Sequence, residues 1–326
     1  MMWGFILELK QSVRSKKFIA TLGIMLLLYV PFFYMMKRYG NVSAMEVKDI
    51  IGNMIQFLSG MAMFFIAILA LLMGTTAINS EIEKGTLRIA LSKPISRLNY
   101  IIGKMLAQAL VIFIALMLST GTAVIGFVAI GVPLTGLLVR EVFLLNMVLF
   151  LGLVQLLFLG YLFSTFIKSS TTALGIALVL FFVVSMIAPA IVTFMALSHS
   201  TPDNYEEVYS DYATKYLFFD PNAQVGIVLN NVNERKCYEY VQTYNKETGT
   251  VTRKTKEVPT CNNYISRTNV NETSGTIESM GCICNETYAG IAHSIRKNSV
   301  NLGILIGMTI IYGLLAVGRF LRMDLR

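Results

Sequence analysis

The sequence predicts an all-α polytopic membrane protein: six transmembrane helices, cytoplasmic N- and C-termini, and a small mixed α/β, disulfide-bearing extracellular domain between helices 5 and 6. Three observations predict it. The 326 residues are 55% hydrophobic and only 14% charged, with a mean hydropathy of +0.63, whereas soluble domains carry about 25% charge. Apolar runs longer than the ~18 residues that cross hydrocarbon as a helix recur along the chain. The one long segment that breaks this character, residues 198–298, holds all four cysteines.

Residues 1–17 place Trp3, Phe5, Ile6 and Leu9 ahead of Lys10, Arg14, Lys16 and Lys17, which predicts an interfacial helix on the inner leaflet. A cleaved leader would be basic first and apolar second. Residues 18–197 then carry five spans: 18–36, 50–77, 101–132, 143–167 and 171–197. Pro133 and Gly136 turn the third span, and Pro189 is expected to kink the fifth. A sixth span and a cytoplasmic tail, residues 299–326, close the chain, with Gly303 and Gly307 as an expected close-packing face.

Between spans two and three, residues 78–104 include Glu81, Glu83, Lys84, Arg88, Lys93, Arg97 and Lys104. Each charge costs about 2.5–3.5 kcal/mol at mid-membrane, so the segment lies in water. Its Lys/Arg excess puts it in the cytoplasm. On that topology the cytoplasmic pieces hold thirteen Lys/Arg against four Asp/Glu. The net charge of +8 is then the positive-inside bias and implies no nucleic-acid partner.

In the outer domain, Asp203 and Glu206 read as a capping box. Tyr205, Val208, Tyr209, Tyr212 and Tyr216 follow at helical spacing, as a packing stripe or an aromatic binding face. The runs 237–244 and 250–258 flank a Gly-bearing turn, which predicts a β-hairpin. Cys237, Cys261, Cys282 and Cys284 are expected to form disulfides in an oxidising compartment. Cys282 and Cys284 are too close to pair with each other without strain, so each would bond Cys237 or Cys261; a hairpin would instead bring Cys237 towards Cys261. The sequons at Asn41, Asn271 and Asn285 all fall outside, as glycosylation acceptors would.

Several functions lack residues. There is no Walker G-x-x-x-x-G-K-[ST] motif and no H-E-x-x-H motif, and the two histidines, His199 and His293, lie at the edges of the outer domain. No Asp, Glu, Lys or Arg falls near the centre of a span, where ion-coupled carriers need such groups. The chain is therefore expected to be no enzyme, to hold no metal and to carry no cofactor of its own. Uncharged polar residues do occur in the spans. Asn53, Gln56 and Ser59 share roughly one face as the expected polar path, while Gln108, Asn146 and Gln155 are expected mainly to bond neighbouring helices.

Residues 81–87 (EIEKGTL), 91–97 (LSKPISR) and Gly103-Lys104 together resemble the cytoplasmic signature of type-2 ATP-binding-cassette (ABC) permeases, including NosY-like and sodium-efflux-like export subunits. Residues 8–18 (ELKQSVRSKKF) are similar to that family's N-terminal helix. The resemblance covers about 1–197 and 300–326. It implies a plasma-membrane, multi-pass permease that pairs with a second permease subunit, in a homo- or heterodimer, and with two copies of an ABC ATPase carrying ATP and Mg. Glu81, Glu83, Lys84, Gly85, Thr86, Arg88 and Pro94 would form the coupling helix for that ATPase. The outer domain's position is similar to that of the G-subfamily, and sequons beside a separately encoded permease point to an archaeal membrane. The rival reading is a scaffold or sensor whose outer domain binds a ligand or envelope component.

Overall fold

A computed structural model describes residues 5, 9–10, 12–39, 52, 55, 63–87, 96–201, 204–245, 250–258, 267–271 and 276–323. Asn41, Asn53, Gln56, Ser59, Arg88, Pro94, Asp203 and Cys261 lie outside them, as does most of the N-terminal interfacial stretch. Contacts divide the chain into two compact units, Met1–Asn230 with Ile291–Arg326, and Asn231–Gly290.

The first unit is helical: α1 (Lys16–Tyr39), α2 (Met63–Thr75), α3 (Asn79–Glu83), α4 (Arg97–Ala129), α5 (Gly136–Phe166), α6 (Ser170–Phe182), α7 (Ala188–His199), α8 (Tyr205–Tyr216), α9 (Pro221–Leu229), α10 (Ile291–Lys297) and α11 (Ser299–Leu321). Among the described residues, six stretches are long and apolar enough to cross a bilayer: 18–38, 66–83, 97–129, 136–166, 170–199 and 299–321. Burial is greatest in α5, which packs most extensively against α2 and α11 and also against α4 and α9. The α2–α5 contact is backbone to backbone. A Cβ on Gly74 would lie 2.2 Å from the Leu157 carbonyl oxygen, and one on Gly160 would lie 2.7 Å from that of Leu71. Gly303 and Gly307, the glycines expected to mediate close packing, face no atom of another helix within 4 Å among the described residues. Spacing of glycines identified a motif, but the residues opposite decide which pair is used.

Local chemistry sets the helix ends. Ser96 caps α4 by accepting from the Asn99 N–H at 3.2 Å. Gly131, at φ +99°, ends the same helix in a Schellman turn: its N–H bonds the Val128 carbonyl, and the Val132 N–H bonds that of Phe127. Thr135 caps α5 on the Leu138 N–H. Pro189 cannot donate to the Ser185 carbonyl, and the turn just before it, Val183–Ile187, widens to a π-helix between α6 and α7. The expected kink is thus a π-bulge.

The structure corrects the sequence reading of 205–229. Helices α8 and α9 pack against the spans of the first unit, α8 along α7, and α9 along α5 and α11. Val192, Ala213, Leu217 and Ile227 form their shared core, with Tyr209 and Tyr212 packed on it, so this part of the Tyr stripe is packing. Asn204 stands at the start of α8 and its side chain makes no cap bond there, while Asp203 of the expected capping box lies outside the described residues.

The second unit is an antiparallel β-sheet in the order β2-β1-β4-β3, from β1 (Asn233–Asn245), β2 (Val251–Val258), β3 (Arg267–Asn271) and β4 (Thr276–Tyr288). The expected hairpin is present, with Tyr244 opposite Val251 and Cys237 opposite Val258. Strand β4 then pairs with β1 along its whole length, which puts Cys237 opposite Cys284, and these two form a disulfide. Cys282 is disulfide-bonded as well. Asn271 ends β3 and Asn285 lies in β4.

Candidate functional site

The charged segment after α2 is anchored to three other helices. Its first turn is held by α5: the Ser164 hydroxyl oxygen accepts from the N–H groups of Ile78 and Asn79 at 2.9 and 3.1 Å, wholly buried. Glu81 reaches α4, where Lys104 Nζ lies 2.6 Å from its Oε1 and the Tyr100 hydroxyl donates to its Oε2. Lys104 is only 6% exposed and Glu81 22%. Tyr100 and Lys104 are four residues apart, so both reach Glu81 from one face of α4.

Glu83, which is exposed, accepts from the Ser170 N–H at 2.7 Å. That bond satisfies a free donor at the start of α6 and places a negative charge at the helix's positive end. The Tyr100 ring stacks on Phe320 of α11, and Arg97 donates to the Met323 carbonyl just beyond that helix. The Arg319 guanidinium lies 5.1 Å from the centre of the Phe166 ring.

After α3 the chain bends at Gly85, whose φ of +68° favours glycine. Thr86 folds its hydroxyl back onto the Glu81 carbonyl, and Leu87 returns to the core at 1% exposure. A pocket of about 580 Å³ lies here, bordered by α3, the α5–α6 turn and the end of α11; Glu81, Glu83, Lys84, Lys168 and Arg319 line its rim. The structure therefore brings together Glu81, Glu83, Lys84, Gly85 and Thr86. Its chemistry is that of a polar docking surface: charges of both signs around a recess, on a short helix whose movement would be felt by α4, α5 and α6.

Two of the uncharged polar residues named from the sequence behave differently from each other. The Asn146 side chain donates to Thr120 of α4, an interhelical bond of the expected kind, and to the Val142 carbonyl. Gln155, by contrast, is fully buried with both amide atoms unpartnered. Glu141 is wholly buried as well. It accepts from Arg140 at 2.8 Å and from the Ile291 N–H at 2.7 Å, capping α10 across 150 residues of sequence. On α8, Asp211 and Lys215 pair at 2.7 Å on an exposed face. Asp220, between α8 and α9, is 1% exposed. The Asp-Pro pair was the available signal for a helix start, because Asp is a preferred N-cap and Pro a preferred first residue.

No group of three or more His, Cys, Asp or Glu residues is arranged to hold a metal ion among the described residues. Compared with known families, residues 2–325 match the model of one described as ABC-2 family transporter protein. No curated protein matches the chain.

Proposed function

The chain belongs to the ABC-2 family of transporter proteins, and from that premise we propose that it is the permease subunit of an ATP-driven exporter. It works as a pair of permeases with two copies of a separate ATPase that carries ATP and Mg. The observation that carries this reading is the anchoring of the 79–87 segment: Glu81 is tied to Lys104 and Tyr100, Glu83 to Ser170, and the backbone at 78–79 to Ser164. A load placed on this short helix is transmitted to three spans without a flexible link. In this reading the segment, with Arg88 and Pro94 beyond it, is cytoplasmic and docks on the ATPase, whose closure switches the permease pair between inward- and outward-open states.

Two further observations support the arrangement. The turns at Lys168 and Arg319 lie at the segment's end of the bundle, as the positive-inside rule expects of a cytoplasmic face. The Asp211–Lys215 pair on the exposed side of α8 is a poor neighbour for lipid and a suitable one for water or a second permease. The path therefore runs beside α8 in this proposal, together with the face bearing Asn53, Gln56 and Ser59. The plasma membrane, the NosY-like subtype and glycosylation at Asn41, Asn271 and Asn285 belong to the same reading.

The test is co-expression with the candidate ATPase. Tagged chain should retain the ATPase through purification and export substrate from ATP-loaded vesicles, and Glu83→Lys should abolish export without unfolding the permease. Full export by a chain lacking residues 81–87 would refute the reading.

A further inference from the structure

We propose that Asp220 anchors a binding site inside the helical unit for a protonated amine carried on an apolar body. The residue sits at the tip of the α8–α9 hairpin, where Pro221 lies against Gly152. Gly152 stands roughly midway along α5 between Arg140 and Lys168, the charged residues that bracket that helix, so the carboxylate is placed near mid-membrane. An ionisable group at that depth is a functional site by default.

Only one of its oxygens has a structural job. Oδ1 accepts from the Asn222 N–H and the Ser185 hydroxyl, each at 3.1 Å. The first bond caps α9, and the second ties the hairpin to the π-bulge between α6 and α7. An asparagine would serve both bonds equally well, so they do not account for an acid. Oδ2 is buried and unpartnered, and Asp220 lines a cavity of about 80 Å³ whose walls include Leu71, Leu156, Phe181 and Phe219.

The lining selects the ligand. Apart from Asp220, only Ser185 and Tyr312 among the described residues contribute polar side-chain atoms. A hard metal ion such as calcium takes about six or more oxygen ligands, which this cavity does not supply. One carboxylate oxygen among aliphatic and aromatic walls suits an ammonium group with N–H bonds to donate and an apolar remainder. Leu180, one of the walls, is 41% exposed, so the cavity opens beside the outward surface of α6. Taken as a substrate site, it would make lipophilic amines the cargo and rests on the transport reading above; binding itself does not.

The test uses the full chain in detergent without any ATPase, titrated calorimetrically with n-butylammonium and, as its neutral counterpart, n-butanol. The wild type should favour the amine over the alcohol by about tenfold or more, as a charge-assisted bond gives. Asp220→Asn keeps the cap and should lose about ten- to a hundredfold in amine affinity with butanol binding unchanged. Asp220→Glu should keep part of the preference. Equal amine binding by Asp220→Asn and wild type overturns the proposal, as does a wild type that does not prefer the amine. Should Asp220→Asn fail to fold, the preference shown by the wild type and Asp220→Glu decides. Failure here with ATP-driven export intact would remove the amine site and leave the permease reading standing.

Discussion

Neutralising Glu81 while leaving Lys104 in place is predicted to destabilise the bundle more than the reverse change. Lys104 is 6% exposed and its Nζ lies 2.6 Å from Glu81 Oε1, so Glu81→Gln removes a counter-charge from beside a buried ammonium. Breaking a fully buried pair costs about 3–5 kcal/mol; because Glu81 is 22% exposed, solvent screening reduces the expected loss to about 2–3 kcal/mol. Lys104→Met leaves Glu81 with the Tyr100 hydroxyl and partial access to water, at about 1–2 kcal/mol. The double variant removes both charges and recovers part of the loss, giving a coupling of about 1–2 kcal/mol. Reversible unfolding in mixed micelles, followed by helical circular dichroism, measures the three changes. Effects that add to within about 0.5 kcal/mol would refute the claim that this pair fixes α3 to α4.

Gly85→Ala should cost about 1–2 kcal/mol, because φ +68° crowds a Cβ, and should weaken ATPase retention more than overall stability when both are measured on the same preparation. Gly160→Ala puts a methyl group into the Leu71 carbonyl. It should separate α2 from α5 and lower the thermal midpoint by several degrees, whereas Gly307→Ala, with no atom nearby, should leave it unchanged. Glu141→Ala strips the Ile291 N–H of its acceptor and should cost about 2–3 kcal/mol, read as faster hydrogen exchange confined largely to α10. Loss of the Cys237–Cys284 bond through Cys237→Ser with Cys284→Ser should destabilise the sheet by about 2–4 kcal/mol. The expected readout is faster proteolysis within 231–290 and unchanged cleavage of the spans.

The spans were legible because length and apolarity alone decide them: 101–132 was expected and Arg97–Ala129 is observed, ended by a turn at Gly131, just ahead of the Pro133 and Gly136 expected to turn it. The hairpin of β1 and β2 was legible for a similar local reason. Strand β4 was not, since it pairs with β1 across an intervening 30 residues or so and its run carries Gly281 and Asn285, both poor strand formers.

The α8–α9 hairpin was hidden more completely. Each helix is shorter than a span, and α8 carries Glu206, Glu207, Asp211 and Lys215, so a hydropathy window reads water where the fold packs the chain among spans. That is why the sequence reading found no acid near the centre of a span. Asp220 comes to the middle of α5 from the loop between the two helices, where Pro221 lies against Gly152. In the charged segment the residue types were legible and their partners were not, because the bonds of Glu81 to Lys104 and of Glu83 to Ser170 join residues 23 and 87 positions apart.

A single reporter cysteine at Lys84→Cys, probed with a membrane-impermeant maleimide, gives the most direct reading of the central claim. Intact cells should leave it unlabelled, and inside-out vesicles should label it rapidly when stripped of ATPase and slowly when the ATPase is bound. Labelling from outside intact cells, or a rate indifferent to bound ATPase, would contradict the assignment of residues 79–87 as the coupling segment.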